Sequence, residues 1–292
     1  MNLWKAILSG TLIMNLVGCG GDSAPSAFVN TDGTLTQGVI YGEDSIQEVS
    51  THTRNTRANV ALVHADKWND IMKGEAVWTV DEVYGTGPQL AWSDQESKAF
   101  CSGTLIGPNL VLTAGHCFTE DHTCENTVFV FNDEQKMEGA TTRKGWQCKL
   151  IVAQKNDFQG GLDYALVEIS IPRDEVEPVV ISETSPVVGD SVYSIGYPLG
   201  SLKKTAQGKV RRVNETGSLE TNLDVFVGNS GSPVFDSKTH ELIGVLHGGE
   251  DDFQEQSAEG GSVEIMKCAE DACKGEFVIP IQKILADIEK QK

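Results

Sequence analysis

Three short segments of the chain contain a histidine, an aspartate and a serine in settings suited to nucleophilic catalysis. His116 lies in the segment 113–117 (Thr-Ala-Gly-His-Cys), just after the apolar run 110–113. Asp163 directly precedes the apolar residues 164–167. Ser230 lies in the segment 228–233 (Gly-Asn-Ser-Gly-Ser-Pro). A serine hydroxyl becomes a useful nucleophile when a base can take its proton and a carboxylate orients that base. Glycines around a serine also allow a tight turn whose backbone N–H groups converge on a developing oxyanion. Asp157 is an alternative acid, but no apolar strand follows it directly.

The elements that must position these residues are predicted to be β-strands. Short apolar runs recur between Gly, Pro, Asn and Asp residues, and no helical segments alternate with them, which predicts an all-β sandwich or barrel. The runs form two sets: residues 60–63, 103–106, 110–113, 128–131 and 164–169, then residues 192–195, 208–213, 233–235, 242–246 and 277–279. We therefore predict two β-units with a boundary near residues 171–186. Only the C-terminus has the spacing of a clear helix, with one apolar face formed by Ile281, Ile284, Leu285 and Ile288.

The order His116, Asp163, Ser230, with these flanking residues, resembles the trypsin-like serine peptidases of the chymotrypsin fold over about residues 39–292. The Gly-Asn-Ser-Gly-Ser-Pro segment is similar to the bacterial branch that includes the glutamyl endopeptidases. The resemblance implies two packed six-stranded antiparallel β-barrels (about 39–171 and 172–279) and a C-terminal helix (about 280–291). It also implies that Ser230 is the nucleophile, His116 the general base and then acid, and Asp163 the residue that fixes the imidazole. The N–H groups of Gly228 and Ser230 would form the oxyanion hole, protein or peptide substrates would be cleaved, and no cofactor would be needed.

The N-terminus and the odd number of cysteines indicate export. Residues 1–18 have Lys5 and an interrupted apolar stretch, as in a signal peptide. The end of this stretch resembles the lipobox of bacterial lipoproteins, in which Cys19 would carry the lipid that holds the protein on a membrane. Residues 19–38 are predicted to be a tether or propeptide. Because Gly20 follows, we expect the outer membrane of the cell envelope, or secretion after processing.

Removing Cys19 from the 7 cysteines leaves an even number, which fits disulfides in an oxidising compartment. The resemblance implies a Cys101–Cys117 disulfide that braces His116. Cys268 and Cys273 are able to close a small loop, which would leave Cys124 for Cys148, but the sequence leaves these pairings open. No metal site is expected, because the spacing of cysteines and histidines matches no recognised zinc pattern.

Activation and substrate preference are harder to predict. Asn229 stands where trypsin-like relatives hold an Asp that pairs with the new N-terminal amine, and a neutral amide cannot form that ion pair. The segment 39–42 resembles the start of mature bacterial relatives, so we predict loss of a prosegment near Gly38. Asp224 occupies the position at which trypsins hold the carboxylate for Arg or Lys. Leu246, His247 and Gly248 occupy the segment that carries the substrate-binding histidine of glutamyl endopeptidases, with the histidine one place later. A preference for Arg or Lys and one for Glu therefore both stay open.

The charge balance excludes some partners. The formal net charge is -19, so most of the surface would repel nucleic acid. Residues 248–264 contain acidic and no basic side chains, which indicates either a solvated face or a rim that attracts cationic substrates. We expect a monomeric serine endopeptidase. A catalytically silent binding module with the same fold is the alternative from another class, whereas an esterase of the α/β-hydrolase type is disfavoured because Pro233 follows the serine where a helix should begin.

Overall fold

The computed structural model describes residues 39–134, 142–254 and 263–291. Cys19 and the predicted signal peptide and tether lie outside the described residues, as does part of the acidic run 248–264. The strands and helices in the described ranges are as follows: β1 Ile40–Tyr41, β2 Gln47–Glu48, α1 Arg54–Ala58, β3 Asn59–His64, α2 Ala65–Lys73, α3 Val80–Tyr84, β4 Ala99–Gly107, β5 Leu110–Thr113, β6 Thr127–Phe131, β7 Lys144–Asp157, β8 Leu162–Ile169, β9 Ser191–Gly196, β10 Lys204–Val213, β11 Leu219–Thr221, β12 Pro233–Asp236, β13 Leu242–Gly248, β14 Lys267–Cys268, β15 Glu276–Pro280 and α4 Ile281–Lys290.

The first barrel is a closed antiparallel sheet of six strands in the order β3-β4-β5-β8-β7-β6. Its strands alternate residues that face inward with residues that face outward, and the inward side chains are apolar. Leu62, Leu105, Leu112 and Phe129 are fully buried in its interior. Burial of these side chains supplies the main driving force for closing the barrel.

The second barrel is a six-stranded ring in the order β9-β10-β11-β15-β13-β12, closed where β12 pairs with β9. Its interior is lined by Val192, Val210, Leu223, Val234 and Leu246. The short strand β2 pairs with β10 and extends the sheet outside the ring. Two closed six-stranded antiparallel barrels with a C-terminal helix confirm the predicted fold class.

The two barrels share a continuous apolar core. Residues of the first barrel such as Tyr164 and Ile169 belong to one buried cluster with Phe235 and Ile279 of the second. Helix α4 adds Ile281, Ile284 and Ile288 to the same cluster, so the predicted apolar face of this helix is the buried one. The shared core fixes the relative position of the segments that carry His116, Asp163 and Ser230.

Two features differ from the sequence prediction. Residues 39–48, which we assigned to the first barrel, pair with the second half of the molecule, because β1 lies parallel to β14 and β2 pairs with β10. The structure also contains the helices α1, α2 and α3, whereas the sequence predicted only the C-terminal one. Helices α1 and α3 have five residues each, which is too short for an apolar period to show in the sequence. Helix α2 has nine residues, and its Ala65 and Trp68 pack against the first barrel, so the sequence prediction missed it.

Candidate active site

The imidazole of His116 is held by the carboxylate of Asp163. His116 Nδ1 lies 2.6 Å from Asp163 Oδ2, and the backbone N–H of His116 donates to Asp163 Oδ1 at 2.7 Å. Asp163 is fully buried at the start of β8, and His116 follows β5 in a single turn of 3₁₀ helix. A Cβ atom at the preceding Gly115 would overlap the carbonyl oxygen of Lys155 in β7, so only glycine lets this turn approach Asp163 closely. Asp163 therefore fixes both the backbone and the ring of His116.

The electrostatic setting of His116 suits a general base. Burial alone would lower the pKa of the imidazole, but the charge of Asp163 and its hydrogen bond outweigh burial and raise the pKa above the ordinary value. The hydrogen bond at Nδ1 also sets the tautomer in which Nε2 is free to accept a proton. The imidazole is thus prepared to receive a proton and to carry the resulting charge.

The loop that contains Ser230 is anchored to the first barrel through Ser102 of β4. The N–H of Ser102 donates to the Ser230 carbonyl at 2.8 Å, and its hydroxyl donates to the Gly228 carbonyl at 2.7 Å. Gly228 and Gly231 have φ values of 92° and 84°, in the region that favours glycine. A Cβ atom at Gly231 would also overlap Thr113 Oγ1 and the Ser102 carbonyl oxygen, so the loop lies directly against the strand that ends before His116.

The backbone N–H groups beside the nucleophile are available for a ligand. Within the described ranges, the N–H groups of Gly228 and Ser230 donate to no protein acceptor, whereas those of Asn229, Gly231 and Ser232 bond to Phe226, Leu246 and Asn229 carbonyls. Free, fixed N–H donors flanking a serine are what an oxyanion hole requires. These are the two N–H groups for which the sequence predicts an oxyanion hole, and that role stays a prediction.

Disulfides brace this region. The predicted Cys101–Cys117 disulfide is present, and Cys117 Sγ lies 3.7 Å from the Ser230 carbonyl oxygen. Cys124 pairs with Cys148 and Cys268 with Cys273, which settles the pairings that the sequence left open.

The first disulfide also bears on metal binding. A ring nitrogen of His116 lies within 4.8 Å of the Cys101 and Cys117 sulfurs. Because these two sulfurs form a disulfide with each other, they are not available as thiolate ligands for a metal.

The alternative acid, Asp157, lies elsewhere. Its side chain is exposed at the end of β7 and accepts a hydrogen bond from the Gly160 N–H at 2.9 Å. Asp163, rather than Asp157, is the carboxylate that contacts His116.

Asp224 lines a small cavity together with Asn229 of the nucleophile loop (residues 226–232) and Lys204 of β10, but its carboxylate is bound by neighbouring residues. It is 2% exposed and accepts hydrogen bonds from the Tyr41 N–H at 2.7 Å, the Ser45 N–H at 2.7 Å and the Ser45 hydroxyl at 2.6 Å. Both carboxylate oxygens are therefore occupied by the segment 41–45. Burial raises the pKa of Asp224 to about 6, against the opposing effect of these donors. The local sequence could not reveal this, because the donors lie about 180 residues earlier in the chain.

His247 and Leu246 are also placed differently from the prediction. Leu246 is packed in the interior of the second barrel. His247 is 3% exposed, lies against Phe158, and points its Nδ1 toward Asp163 Oδ2 at 4.0 Å. Its side chain thus lies beside Asp163 and Phe158, and the predicted contact with substrate stays a prediction. Gly248 ends β13 and presents backbone alone.

Asn229 and the start of the described chain bear on activation. Asn229 is buried and its Oδ1 accepts a hydrogen bond from the Ser232 hydroxyl at 3.4 Å. Val39 is fully buried and forms an antiparallel bridge with Val225. The side chain of the neutral Asn229 therefore forms its hydrogen bond within the nucleophile loop.

A His–Asp pair and a glycine-flanked serine loop, carried by two closed six-stranded barrels, are features of the serine peptidases of the chymotrypsin fold. Comparison with known proteins agrees: residues 101–245 match the family model described as the trypsin-like peptidase domain. Residues 101–245 thus match a trypsin-like peptidase domain, and the whole molecule has the chymotrypsin fold.

The sequence identity between this chain and individual relatives is 30% or lower. A glutamyl endopeptidase of Bacillus licheniformis is 30% identical over 155 residues, which is 48% of this chain and 46% of that protein. A snake venom serine protease of Naja atra is 25% identical over 212 residues, covering 72% of this chain and 71% of the relative. The solved structure of a Glu endopeptidase superposes with a TM-score of 0.52 at 19% identity, covering 87% of this chain and 100% of that one. The alignment thus spans less than half of the Bacillus protein, and the structural likeness concerns the fold.

Ser102 was not predicted from the sequence, although it forms two hydrogen bonds with the Ser230 loop and accepts a third, at its carbonyl oxygen, from the Thr113 hydroxyl. Besides its bonds to the Ser230 loop, its hydroxyl accepts the N–H of Tyr197 at 3.1 Å. Its place next to Cys101, a member of the predicted disulfide, was the one local signal for it.

Proposed function

We propose that the protein is a serine endopeptidase that cleaves peptide bonds through an acyl-enzyme on Ser230. The observation that carries the proposal is the buried Asp163 carboxylate, which holds His116 Nδ1 at 2.6 Å beside the loop of Ser230. Two free N–H donors flank the nucleophile, as an acyl transfer requires. The residue roles follow from this arrangement.

In the first step, Ser230 Oγ attacks the carbonyl carbon of the scissile peptide bond while His116 Nε2 takes the hydroxyl proton. The carbonyl π electrons move to the oxygen, and the N–H groups of Gly228 and Ser230 stabilise that negative charge. Asp163 stabilises the imidazolium that forms. The tetrahedral intermediate then expels the amine, which receives the proton from His116, and the acyl group stays on Ser230.

In the second step, a water molecule replaces the amine. His116 removes a proton from the water as it attacks the ester carbonyl, and returns it to Ser230 Oγ when the acid product leaves. The same oxyanion donors serve both tetrahedral intermediates.

The proposed location is outside the cytoplasm. Six cysteines form three disulfides in the described residues, and such bonds persist in oxidising compartments. The seventh, Cys19, is proposed as a lipid attachment site that tethers the protein to the outer membrane until cleavage before Val39 releases it. Among the described helices, none is long and apolar enough to cross a membrane. N-terminal sequencing of active protein tests the maturation step: a first residue of Cys19 or Gly20 would contradict cleavage before Val39.

A serine-directed phosphonate tests the proposed activity. Wild-type protein should be labelled stoichiometrically and should cleave a protein substrate, whereas Ser230→Ala should lose both, because the attacking hydroxyl is gone. The matched control is Ser237→Ala, in the turn after β12, which should be labelled like wild type. Folding of each variant is verified by thermal unfolding. A wild-type protein that is folded but neither labelled nor active would overturn the proposal in favour of a silent binding module.

A further inference from the structure

Leu199 has a backbone conformation that leucine rarely adopts. It lies in the connection between β9 and β10, and its φ of 51° and ψ of 27° fall in the left-handed region. A residue other than glycine is uncommon in this region, and it stays there only when its surroundings hold it. The side chain of Leu199 is fully buried, so this conformation belongs to the interior of the protein and not to an exposed turn.

Packing and a hydrogen bond hold Leu199 in place. Its side chain belongs to a buried apolar cluster with Ile40, Phe226 and Ile265. Its carbonyl oxygen accepts a hydrogen bond at 2.7 Å from the hydroxyl of Ser97, which is itself buried just before β4. Contacts from both halves of the molecule therefore fix the conformation of this one residue.

The N–H group of Leu199 binds the nucleophile loop. It donates to the carbonyl oxygen of Val227 at 2.6 Å. The next residue, Gly228, packs against the same connection, because a Cβ atom there would overlap the carbonyl oxygen of Tyr197 and the backbone nitrogen of Gly200. The connection between β9 and β10 thus lies in direct backbone contact with the residue that carries one of the two free N–H donors.

The bond from Leu199 determines where the Gly228 N–H points. The carbonyl of Val227 and the N–H of Gly228 belong to one planar trans peptide, so they point in opposite directions. With the carbonyl oxygen bound to Leu199, the Gly228 N–H faces away from the connection, and within the described ranges it donates to no protein acceptor. The peptide that carries the second free donor is fixed inside the nucleophile loop, where its carbonyl oxygen accepts the Ser232 N–H at 2.8 Å.

We propose that Leu199 is a positioning residue for peptide-bond cleavage, whose left-handed backbone holds the Val227–Gly228 peptide so that the Gly228 N–H faces the oxyanion. Ser97 supports it by binding the Leu199 carbonyl. The inference rests on the proposed endopeptidase function. A donor that is held in place before the reaction needs no reorganisation when the negative charge develops. If the peptide were released, it would be free to rotate and to place its carbonyl oxygen where the donor is needed.

Leu199→Ile tests the role of the backbone conformation. Isoleucine has the volume of leucine, but its branched Cβ disfavours positive φ, so the N–H should turn away from Val227. We expect kcat to fall roughly 10- to 100-fold with little change in KM, because the oxyanion forms only in the transition state. Leu199→Gly accepts positive φ and should keep a higher kcat than Leu199→Ile, although the lost packing lowers its thermal stability.

Leu219→Ile is the matched control. It makes the same substitution at a buried leucine in strand β11 of the second barrel, where a branched side chain is well tolerated. This variant should have the kcat of wild type, so the comparison separates the effect of positive φ from that of a general change in packing.

Ser97→Ala tests the same arrangement from the other side and decides the question if Leu199→Ile does not fold. The substitution removes the hydroxyl that binds the Leu199 carbonyl but leaves the side chain of Leu199 intact. It should lower kcat by less than Leu199→Ile does, again with little change in KM. Ser97→Thr keeps a hydroxyl and should restore most of the lost activity.

The carbonyl stretching frequency of an acyl-enzyme reports the oxyanion donors directly. A cinnamoyl group on Ser230 serves as the probe, and its C=O stretch is measured by Raman spectroscopy. Hydrogen bonds from the oxyanion donors polarise this carbonyl and lower its frequency. The frequency should therefore be higher in Leu199→Ile and Ser97→Ala than in wild type, whereas Leu219→Ile should match wild type.

Phosphonate labelling carried to completion counts the active sites, so every rate refers to folded enzyme. Wild-type kcat and carbonyl frequency in fully labelled Leu199→Ile or Ser97→Ala overturn this inference alone. So does a loss of the same size in Leu219→Ile, a loss that lies in KM and not in kcat, or a lower kcat in Leu199→Gly than in Leu199→Ile. Wild-type protein that is neither labelled nor active overturns the proposed function as well.

Discussion

At the scale of single residues, Asp163 is the group on which the site depends most. It is fully buried, both of its oxygens bind His116, and His247 is the second imidazole in its vicinity. Burial lowers the pKa of His247 to about 4, so this ring stays neutral at neutral pH. His116 is therefore the histidine that takes up positive charge next to Asp163.

Replacing Asp163 by asparagine should lower kcat about 10⁴-fold, as the equivalent amide does in trypsin-type enzymes, because an amide favours the wrong tautomer of the imidazole. The acid limb of the residual kcat/KM profile should move to lower pH, since the charge that raises the pKa of His116 is removed. Asp157→Asn is the matched control and should behave as wild type in both measurements. An unchanged acid limb in Asp163→Asn would show that Asp163 does not set the pKa of His116.

At the scale of elements, residues 39–48 form a strap across the second barrel. Tyr41 and Ser45 donate to Asp224, β2 pairs with β10, and Lys204 Nζ lies 2.8 Å from Glu48 Oε1. The strap therefore reaches Asp224, and the Tyr41 hydroxyl also donates to Glu276 at 3.2 Å. Its attachment should be sensitive to pH, because Asp224 has a pKa of about 6.

Ser45→Ala removes the hydroxyl that donates to the Asp224 carboxylate, and should lower the free energy of unfolding by about 1–2 kcal/mol at pH 7.5. The loss should be smaller at pH 4.5. The raised pKa means that Asp224 is protonated there, and the charged form, which needs the donor most, appears as the pH rises through about 6. Urea unfolding at the two pH values measures this, with the exposed Ser50→Ala as control. An equal loss at both pH values would contradict the assignment.

The same elements show what the sequence could predict. The strands and the settings of His116, Asp163 and Ser230 depend on residues within a few positions of each other, so local patterns sufficed for the fold class and the candidate site. The contacts of Asp224 with Ser45 and of Glu276 with Tyr41 join residues 179 and 235 positions apart. No local periodicity carries such pairings, because the closing of the barrel creates them. The placement of His247 beside Asp163 was missed for the same reason.

At the scale of the whole molecule, the balance of charge is strongly acidic. The formal net charge is -19. Two lysines are buried in ion pairs inside the fold, Lys98 with Asp133 and Lys203 with Glu134. These four side chains are nearly or fully buried and each pair is neutral, so the excess negative charge falls on the remainder of the molecule. Such a field attracts cationic substrates at long range.

The rate of capture of basic peptides should therefore depend on salt. For a peptide with several lysines, kcat/KM should fall roughly tenfold between low ionic strength and 0.5 M salt, because the Debye length shortens and the long-range attraction is screened. An uncharged peptide of the same length, assayed in parallel, should show little change. A flat profile for the basic peptide would remove steering as a role of the acidic surface.

The path of residues 39–48 also sets an order of events during folding. Tyr41 pairs with Cys268, and its hydroxyl donates a hydrogen bond to Glu276. The first described residues therefore cannot form these contacts until a segment more than 200 positions later has been synthesised. Contacts of such sequence separation form slowly, since a long loop must close first. The strap can thus dock only after the second barrel has its final strand. Cleavage before Val39, as proposed above, would therefore produce an N-terminal segment whose binding partners exist only in completely folded molecules.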